Sequence, residues 1–261
     1  MNPFKAYLGK RKQLFEIQDF NWCPQAVRDG VTDYLRFSLT LVPLYQSAGI
    51  WIHKMADKQK GNWIDLCAGA GGGSLPLFQT MKFDHSVELI LTDLYPNSSK
   101  NHIPRVLFHP VSVDARQVPT SLKGFRTLFT SFHHLPEVVA QDVLQDAFQT
   151  KTPIGIFEFT ERNFFCLLMT APTIINTLIL TPFIFPWKLS RFFWTYIIPL
   201  IPLVATVDIL LSCLRTRTPK ELEEMIKEMK DPAYIWHIGK SPAPFGFSMT
   251  YLVGLPKEEY D

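Results

Sequence analysis

Six consecutive residues, Ala68 to Gly73, are alanine or glycine, and they stand behind the short apolar run of Trp63, Ile64 and Leu66 that carries Asp65. The run is too short for a helix and the small residues cannot continue a strand, so the stretch reads as strand, tight turn, helix start. Glycine in such a turn either reaches backbone angles closed to other residues or leaves room for a ligand against the main chain. By itself the turn does not decide between these uses, since a helix carrying Leu75, Leu77 and Phe78 follows it in either case. The spacing of the next acids decides more. The run "VELILTDLYPN" ends on Asp93, 20 residues beyond Gly73, the distance at which a βαβ unit sets an acid against the ribose hydroxyls of a bound nucleoside. "RVLFHPVSVDARQVP" ends on Asp114, and "FRTLFTSFHHLPE" ends in polar residues at Ser131. Four successive strands ending in small, acidic or hydroxyl residues fit an open α/β sheet, whose ligands sit outside the carboxyl ends of the strands.

The kind of nucleoside is narrowed by what the turn lacks. A dinucleotide fingerprint counted from Gly69 and Gly71 wants its third glycine at position 74, where the chain has Ser74, which disfavours nicotinamide cofactors. A phosphate-binding P-loop needs Lys and then Ser or Thr after the glycines, whereas Ser74 is followed by Leu75 and Pro76, which disfavours ATP.

The residues that remain resemble the class I S-adenosylmethionine-dependent methyltransferases. The family's first motif, an acid at the end of strand one followed by glycines at alternate positions, falls here on Asp65, Cys67, Gly69 and Gly71, with Ala68 between them and Cys67 in place of the usual first glycine. The resemblance implies S-adenosyl-L-methionine as cofactor. It puts Asp93 on the ribose, Leu94 against the adenine, and Asp114 with Ala115 near the adenine amino group. It also puts Ser131 and Phe132 beside the cofactor after strand four, where "FHHLPE" matches a pattern common in the family. The fold implied is a seven-stranded Rossmann-like sheet with its last strand antiparallel, flanked by helices, with a hydrophobic helical insertion after strand five. "PIGIFEFTERN" would be strand five, "TPKELEEMIKEMK" a helix capped by Thr218 with Glu221 three residues on, and "YIWHIG" and "FGFSMTYLVGLP" the closing pair of strands.

Length and charge are consistent with this reading. At 261 residues with no Pro/Gly/Ser-rich linker, the chain reads as one domain, 1–261, with an N-terminal helical cap over 1–60 and an insertion over 163–217. A net charge of +2 implies no nucleic-acid partner. Cys23, Cys67, Cys166 and Cys213 show no CxxC spacing and the first residues lack an apolar signal core, so the expected location is cytoplasmic with free thiols.

The insertion is the unusual part. Asn163 to Trp187 is a run of 25 residues without a charge, and a second uncharged run from Phe192 to Val207 follows "KLSR". Length alone allows a membrane hairpin. Lys188 and Arg191 would then have to cross the bilayer, and Pro172, Pro182, Pro186, Pro199 and Pro202 cut both runs into short helical pieces. Three readings stay open: an acceptor-side lid or homodimer surface, a peripheral membrane contact through 163–217, and a spanning hairpin, which the charges disfavour. Under the first two the acceptor is a small, apolar or lipid-like molecule.

For catalysis the resemblance places His133 on the acceptor side as general base and His134 in a structural or cofactor-side contact, with Glu158 at the same edge. Tyr34, on a leading helix with apolar spacing through Val27, Val31 and Leu35, is the candidate to touch the sulfonium or the cofactor's carboxylate. Arg28 and Asp33 are expected as an exposed ion pair, and Arg162 either binds an acceptor carboxylate or pairs with Glu161. No metal is expected, because His102, His109, His133, His134 and His237 lack ligand spacing. Two rival readings use other chemistry: cyclisation or cleavage of S-adenosylmethionine with release of methylthioadenosine, and a non-catalytic protein that binds a membrane or partner.

Overall fold

The computed structural model describes residues 6–83, 87–96 and 103–257; His102 lies outside the described residues. Helices α1 (Gln25–Leu41) and α2 (Gly49–Lys58) lead into β1 (Asn62–Asp65), α3 (Ser74–Thr80), β2 (Leu89–Leu91), β3 (Val106–Phe108), β4 (Gly124–Phe129), α4 (Glu137–Gln149) and β5 (Ile154–Glu158). The insertion follows as α5 (Phe164–Leu168), α6 (Thr173–Leu180), α7 (Leu189–Phe192) and α8 (Leu200–Arg215), and the chain closes with α9 (Pro219–Met225), β6 (Tyr234–Pro242) and β7 (Ser248–Pro256).

The seven strands form one sheet in the order β3-β2-β1-β4-β5-β7-β6. The pairings among β1 to β5 are parallel, while β7 runs antiparallel to both β5 and β6. Strand order reverses between β1 and β4, the switch point at which an open α/β sheet leaves a crevice beyond its carboxyl ends. The central strands β4 and β5 are buried along their whole length, in keeping with their near-continuous apolar runs. One core cluster joins Ile64, Leu128, Ile156 and Leu252 of the sheet to Val143 and Leu144 of α4 and to Leu222 and Met225 of α9. Helix α9 starts where the sequence places it, with Thr218 and Glu221 exchanging the two hydrogen bonds of a capping box.

Strands β2 and β3 are shorter than their apolar runs. The ladder of β3 ends at Phe108, with the His109 N–H still donating to the Leu91 carbonyl at 2.9 Å, so Asp114 lies in a loop rather than at a strand end. Asp93 likewise follows β2 in a turn, where its carboxylate is free of the ladder.

The chain divides into two compact units: Pro43–Phe159 with the chain from Thr218 onward, which holds the whole sheet, and the chain up to Val42 with Thr160–Arg217. Helix α2 falls in the sheet unit, where a Cβ on Gly155 of β5 would come within 2.9 Å of the Met55 side chain. The second unit is helical and joins segments far apart in sequence. Val27, Val31 and Tyr34 of α1 pack with Ile201, Val204 and Ala205 of α8, and a Cβ on Gly30 would meet Ile201 Cδ1 at 2.2 Å. Asp33 pairs not with Arg28 but with Lys188 at 2.8 Å and with Arg191 at 2.6 Å; Arg28 reaches the carbonyl of Cys23. Asp208 of α8 accepts from the N–H groups of Ile17 and Gln18, and Glu16 accepts from Ser212. Pro172 and Pro199 stand at the N-caps of α6 and α8 as the sequence implies, whereas Pro202 falls in the first turn of α8 and does not break it. Among the described residues no single helix is long and apolar enough to cross a membrane; one pair, Leu189–Ile197 and Leu200–Arg215, meets the length and composition together but is bent by 79°.

Candidate active site

The turn after β1 is built on one buried carboxylate. Asp65 accepts hydrogen bonds from the hydroxyls of Ser74, at the start of α3, and of Thr127 in β4, the latter at 2.7 Å. Thr127 in turn accepts from Trp63 Nε1 at 2.7 Å. Burial raises the Asp65 pKa to about 7; the Ser74 and Thr127 hydrogen bonds oppose the rise and the charge of Asp93 adds to it. Asp65 therefore anchors the two ends of the turn, tying strand, helix and neighbouring strand at one point.

Three residues of the turn lie in the left-handed region: Cys67 at φ 52°, Gly69 at 52° and Gly71 at 75°. The glycines serve different purposes. A Cβ on Gly73 would meet Phe129 Cβ at 2.3 Å and one on Gly71 would meet Leu91 Cδ1 at 2.8 Å, so both allow close packing on the sheet. Around Gly69 nothing lies within 4 Å of that position, which leaves open space over the main chain. The Gly69 N–H donates to Asp93 Oδ2 at 2.9 Å, while Asp93 Oδ1 accepts from the Tyr95 N–H at 3.0 Å. The glycine turn and the acid 20 residues past Gly73 thus meet directly. Ala68 joins the same edge through its N–H to the Thr92 carbonyl at 2.9 Å. Burial pushes the Cys67 thiol up to about 12, with Asp93, Asp65 and Asp114 adding to the effect, so it stays protonated.

Across the switch point, the 3-10 turn Phe132–His134 brings His133 onto Glu158 at the end of β5. The His133 N–H donates to Glu158 Oε1 at 3.2 Å, and its ring Nδ1 lies 2.7 Å from Oε2. Burial pushes the Glu158 carboxyl up, but the charge and hydrogen bonds of His133, with the charge of His134, outweigh it and hold the pKa below the usual value. An ionised Glu158 fixes the proton on Nδ1 and leaves Nε2 as the basic nitrogen of the ring. The His134 ring sits 4.3 Å from that of His133.

The other expected site residues divide. Leu94 is half exposed beside Asp93, and Asp114 is held by Arg116 in a forked ion pair whose hydrogen bonds keep its pKa low. Ala115 and Phe132 are buried in the sheet core. Ser131 is buried, and its hydroxyl has no hydrogen-bond partner among the described residues. Tyr34 lies in the core of the helical unit. In that unit Arg162 donates to the carbonyls of Leu8 and Thr216.

Four contributors were not singled out from the sequence as site residues. In the sequence Ser74 stands out only as the residue that breaks the dinucleotide and P-loop patterns, and Thr127 falls inside an apolar strand with nothing to mark it. Tyr45 precedes α2, and Thr250 sits in β7 opposite Glu158. Both are buried, and their hydroxyls have no hydrogen-bond partner among the described residues.

No family model matches the sequence, and no curated protein matches it. Solved structures match the fold. The plantazolicin methyltransferase BpumL, in complex with a monoazolic desmethylplantazolicin analogue and S-adenosylhomocysteine, superposes with a TM-score of 0.52 at 10% identity, covering 87% of this chain and 90% of that one. The magnesium protoporphyrin IX methyltransferase ChlM from Synechocystis PCC 6803 gives a TM-score of 0.42 at 11% identity, covering 90% and 88%. Human N-acetylserotonin methyltransferase gives 0.46 at 10%, covering 87% of this chain and 57% of its own. The fold is that of the class I S-adenosylmethionine-dependent methyltransferases.

Proposed function

We propose that this chain is an S-adenosylmethionine-dependent methyltransferase that transfers a methyl group to O or N of a small, apolar or lipid-like acceptor. The observation that carries the reading is the pairing of His133 with Glu158 on the same sheet edge as the glycine turn bonded to Asp93. The residues suit the cofactor. The space over Gly69 admits a ligand against the backbone, the Asp93 carboxylate has lone pairs left for ribose hydroxyls, and Leu94 offers an apolar surface for the adenine. Asp65, Cys67, Ala68 and Gly71 shape the turn, and Asp114, Ala115, Ser131 and Phe132 flank it. BpumL holds S-adenosylhomocysteine on this fold.

When bound, the cofactor supplies a methyl group already activated on a sulfonium. The protein then has to orient the acceptor, exclude water and take up a proton. His133 Nε2 receives the acceptor's proton, and Glu158 stabilises the imidazolium that results. The apolar acceptor is supported by the insertion, where sixteen of the exposed large hydrophobic side chains fall between Phe164 and Val207. The same side chains support a peripheral membrane contact through 163–217.

The test is to incubate purified protein with S-adenosylmethionine, alone and with detergent-solubilised cell extract, and to identify the nucleoside products by mass spectrometry. S-adenosylhomocysteine formed only with extract is the expected result. Methylthioadenosine formed without extract would replace methyl transfer by cleavage of the cofactor.

A further inference from the structure

The insertion begins with α5 and ends with α8, and each of these helices carries a cysteine. Cys166 of α5 and Cys213 of α8 stand 47 positions apart in the chain, yet their sulfurs are 3.4 Å from each other. Both thiols are free and buried, at 4% and 0% exposure. A disulfide holds its sulfurs about 2 Å apart, so about 1.4 Å separates this pair from bonding distance.

The two sulfurs are not equivalent. Cys166 Sγ accepts from the Glu161 N–H at 3.3 Å and faces the Cys213 thiol. The hydrogen bond from Cys213, with that from the Glu161 N–H, holds the Cys166 pKa below its ordinary value against burial and the Glu161 charge. Cys213 has the converse setting: its hydrogen bond to Cys166, together with burial, pushes its pKa up, so it keeps its proton. One thiol is thus set as the nucleophile and the other as its resolving partner. Burial raises the pKa of Cys23 and Cys67 instead. Access is governed by α5, which spans only five residues and has Phe164 and Leu168 on the surface. A helix of little more than one turn opens at low cost, and its opening uncovers Cys166.

We propose that Cys166 and Cys213 form a reversible disulfide site, oxidised by a hydroperoxide, that staples the first helix of the insertion to its last. The Cys166 thiolate attacks one peroxide oxygen; the O–O bond breaks, the other oxygen leaves as water or alcohol with the proton that Cys166 gave up, and Cys166 becomes a sulfenic acid. The Cys213 sulfur then attacks Cys166 Sγ, the S–O bond breaks, and the oxygen leaves as water with the Cys213 proton. The thiols lose two electrons and the peroxide gains them. A dithiol reductant reverses the bond, which in a reducing compartment makes it transient. The bridge closes a loop around α6 and α7 and restricts the unfolded chain, so it stabilises the helical unit. The assignment is independent of the methyltransferase reading.

The test treats the purified full chain with hydrogen peroxide, blocks the remaining thiols in denaturant and maps the peptides by mass spectrometry, with thermal melts before oxidation, after it and after dithiothreitol. The expected result is the Cys166 peptide joined to the Cys213 peptide, the pair two hydrogens lighter, with a thermal midpoint about 10 °C higher, both reversed by the reductant. Cys213→Ala should lose the bridge and the rise. Three results in wild type would each overturn the site without any need for the variant: separate oxidation of the two sulfurs to sulfinic acids, a bridge from either to Cys23 or Cys67, or thiols that both stay open to alkylation after peroxide. A midpoint that rises as far in Cys213→Ala as in wild type would overturn the staple.

Discussion

At the scale of single residues the turn after β1 holds two energetic costs that can be measured. Cys67 stands at φ 52°, where a side chain costs about 1–2 kcal/mol relative to right-handed geometry. Glycine gives back about 0.5–1 kcal/mol of this through its freer unfolded chain, so Cys67→Gly should stabilise the protein by about 0.5–1 kcal/mol. A urea midpoint that rises with unchanged slope checks this; a fall would mean that the thiol packs better than the backbone is strained. Asp65 carries the second cost. Its folded pKa of about 7 lies above its unfolded value of 3.8, so it binds its proton more tightly when folded. The stabilisation is complete below the unfolded pKa and is lost as pH rises to about 7. Stability of the wild type relative to Asp65→Asn should therefore fall by about 2 kcal/mol between pH 5 and pH 8. Chemical denaturation of both proteins at the two pH values reads the difference, and a flat difference would place the Asp65 titration elsewhere. The sequence identified both residues because a motif fixed their register. It was silent on Thr127 and Tyr45, since a hydroxyl's role depends on what folding brings within about 3 Å, and no local pattern encodes that.

At the scale of elements the glycine turn separates packing from ligand space. Gly73→Ala would drive a Cβ into Phe129 at 2.3 Å, backbone-side atoms that cannot swing away, so α3 must shift off β4. Overpacking of this kind costs about 1–3 kcal/mol. Gly69→Ala meets nothing and pays only the left-handed backbone cost, about 1–2 kcal/mol, but its methyl enters the space proposed for the cofactor. Thermal melts paired with S-adenosylhomocysteine titrations should show Gly73→Ala losing stability and Gly69→Ala losing affinity out of proportion to stability. The reverse pattern would mean that the ligand lies elsewhere. Element order was legible along most of the chain, because alternating apolar runs and acids repeat at the period of a βαβ unit. Strand ends were less so: the apolar run continues past Phe108 although the ladder to β2 ends there, and Asp114 lies in a loop paired with Arg116. The composition of the insertion gave its helical pieces, cut at Pro172 and Pro199, but could not show that α1 and α8 share a core, a contact made across more than 150 residues of chain.

At the scale of the whole molecule the exposed apolar surface is concentrated in the insertion. Among the described residues, Phe185 is 72% exposed, Trp187 65% and Leu189 90%, with the rings of Phe185 and Trp187 stacked at 5.3 Å. Of the neighbouring positive charges, Arg191 is 1% exposed and paired with Asp33, while the Lys188 side chain shares that carboxylate and stays 42% exposed. The sequence argument against spanning treated Lys188 and Arg191 as charges that must cross a bilayer; in the structure Asp33 neutralises one of them and shields both. If the peripheral membrane contact proposed above holds, it is carried mainly by these apolar side chains, each contributing about 1.5–3 kcal/mol when buried, with Lys188 as a partly exposed neighbouring cation for anionic headgroups. Binding to vesicles of phosphatidylcholine, with or without phosphatidylglycerol, should then survive high salt, because contacts carried by apolar burial are not screened as exposed charges are. Sedimentation with vesicles at low and high salt measures this, with the combined Phe185→Ser, Trp187→Ser and Leu189→Ser variant as the partner experiment. Wild type should pellet at both salt concentrations and the variant should stay in the supernatant. Wild-type binding that vanishes with salt would assign the contact to charges instead. Protein that never pellets, yet sediments as a dimer that the triple variant abolishes, would give this face to a second copy of the chain.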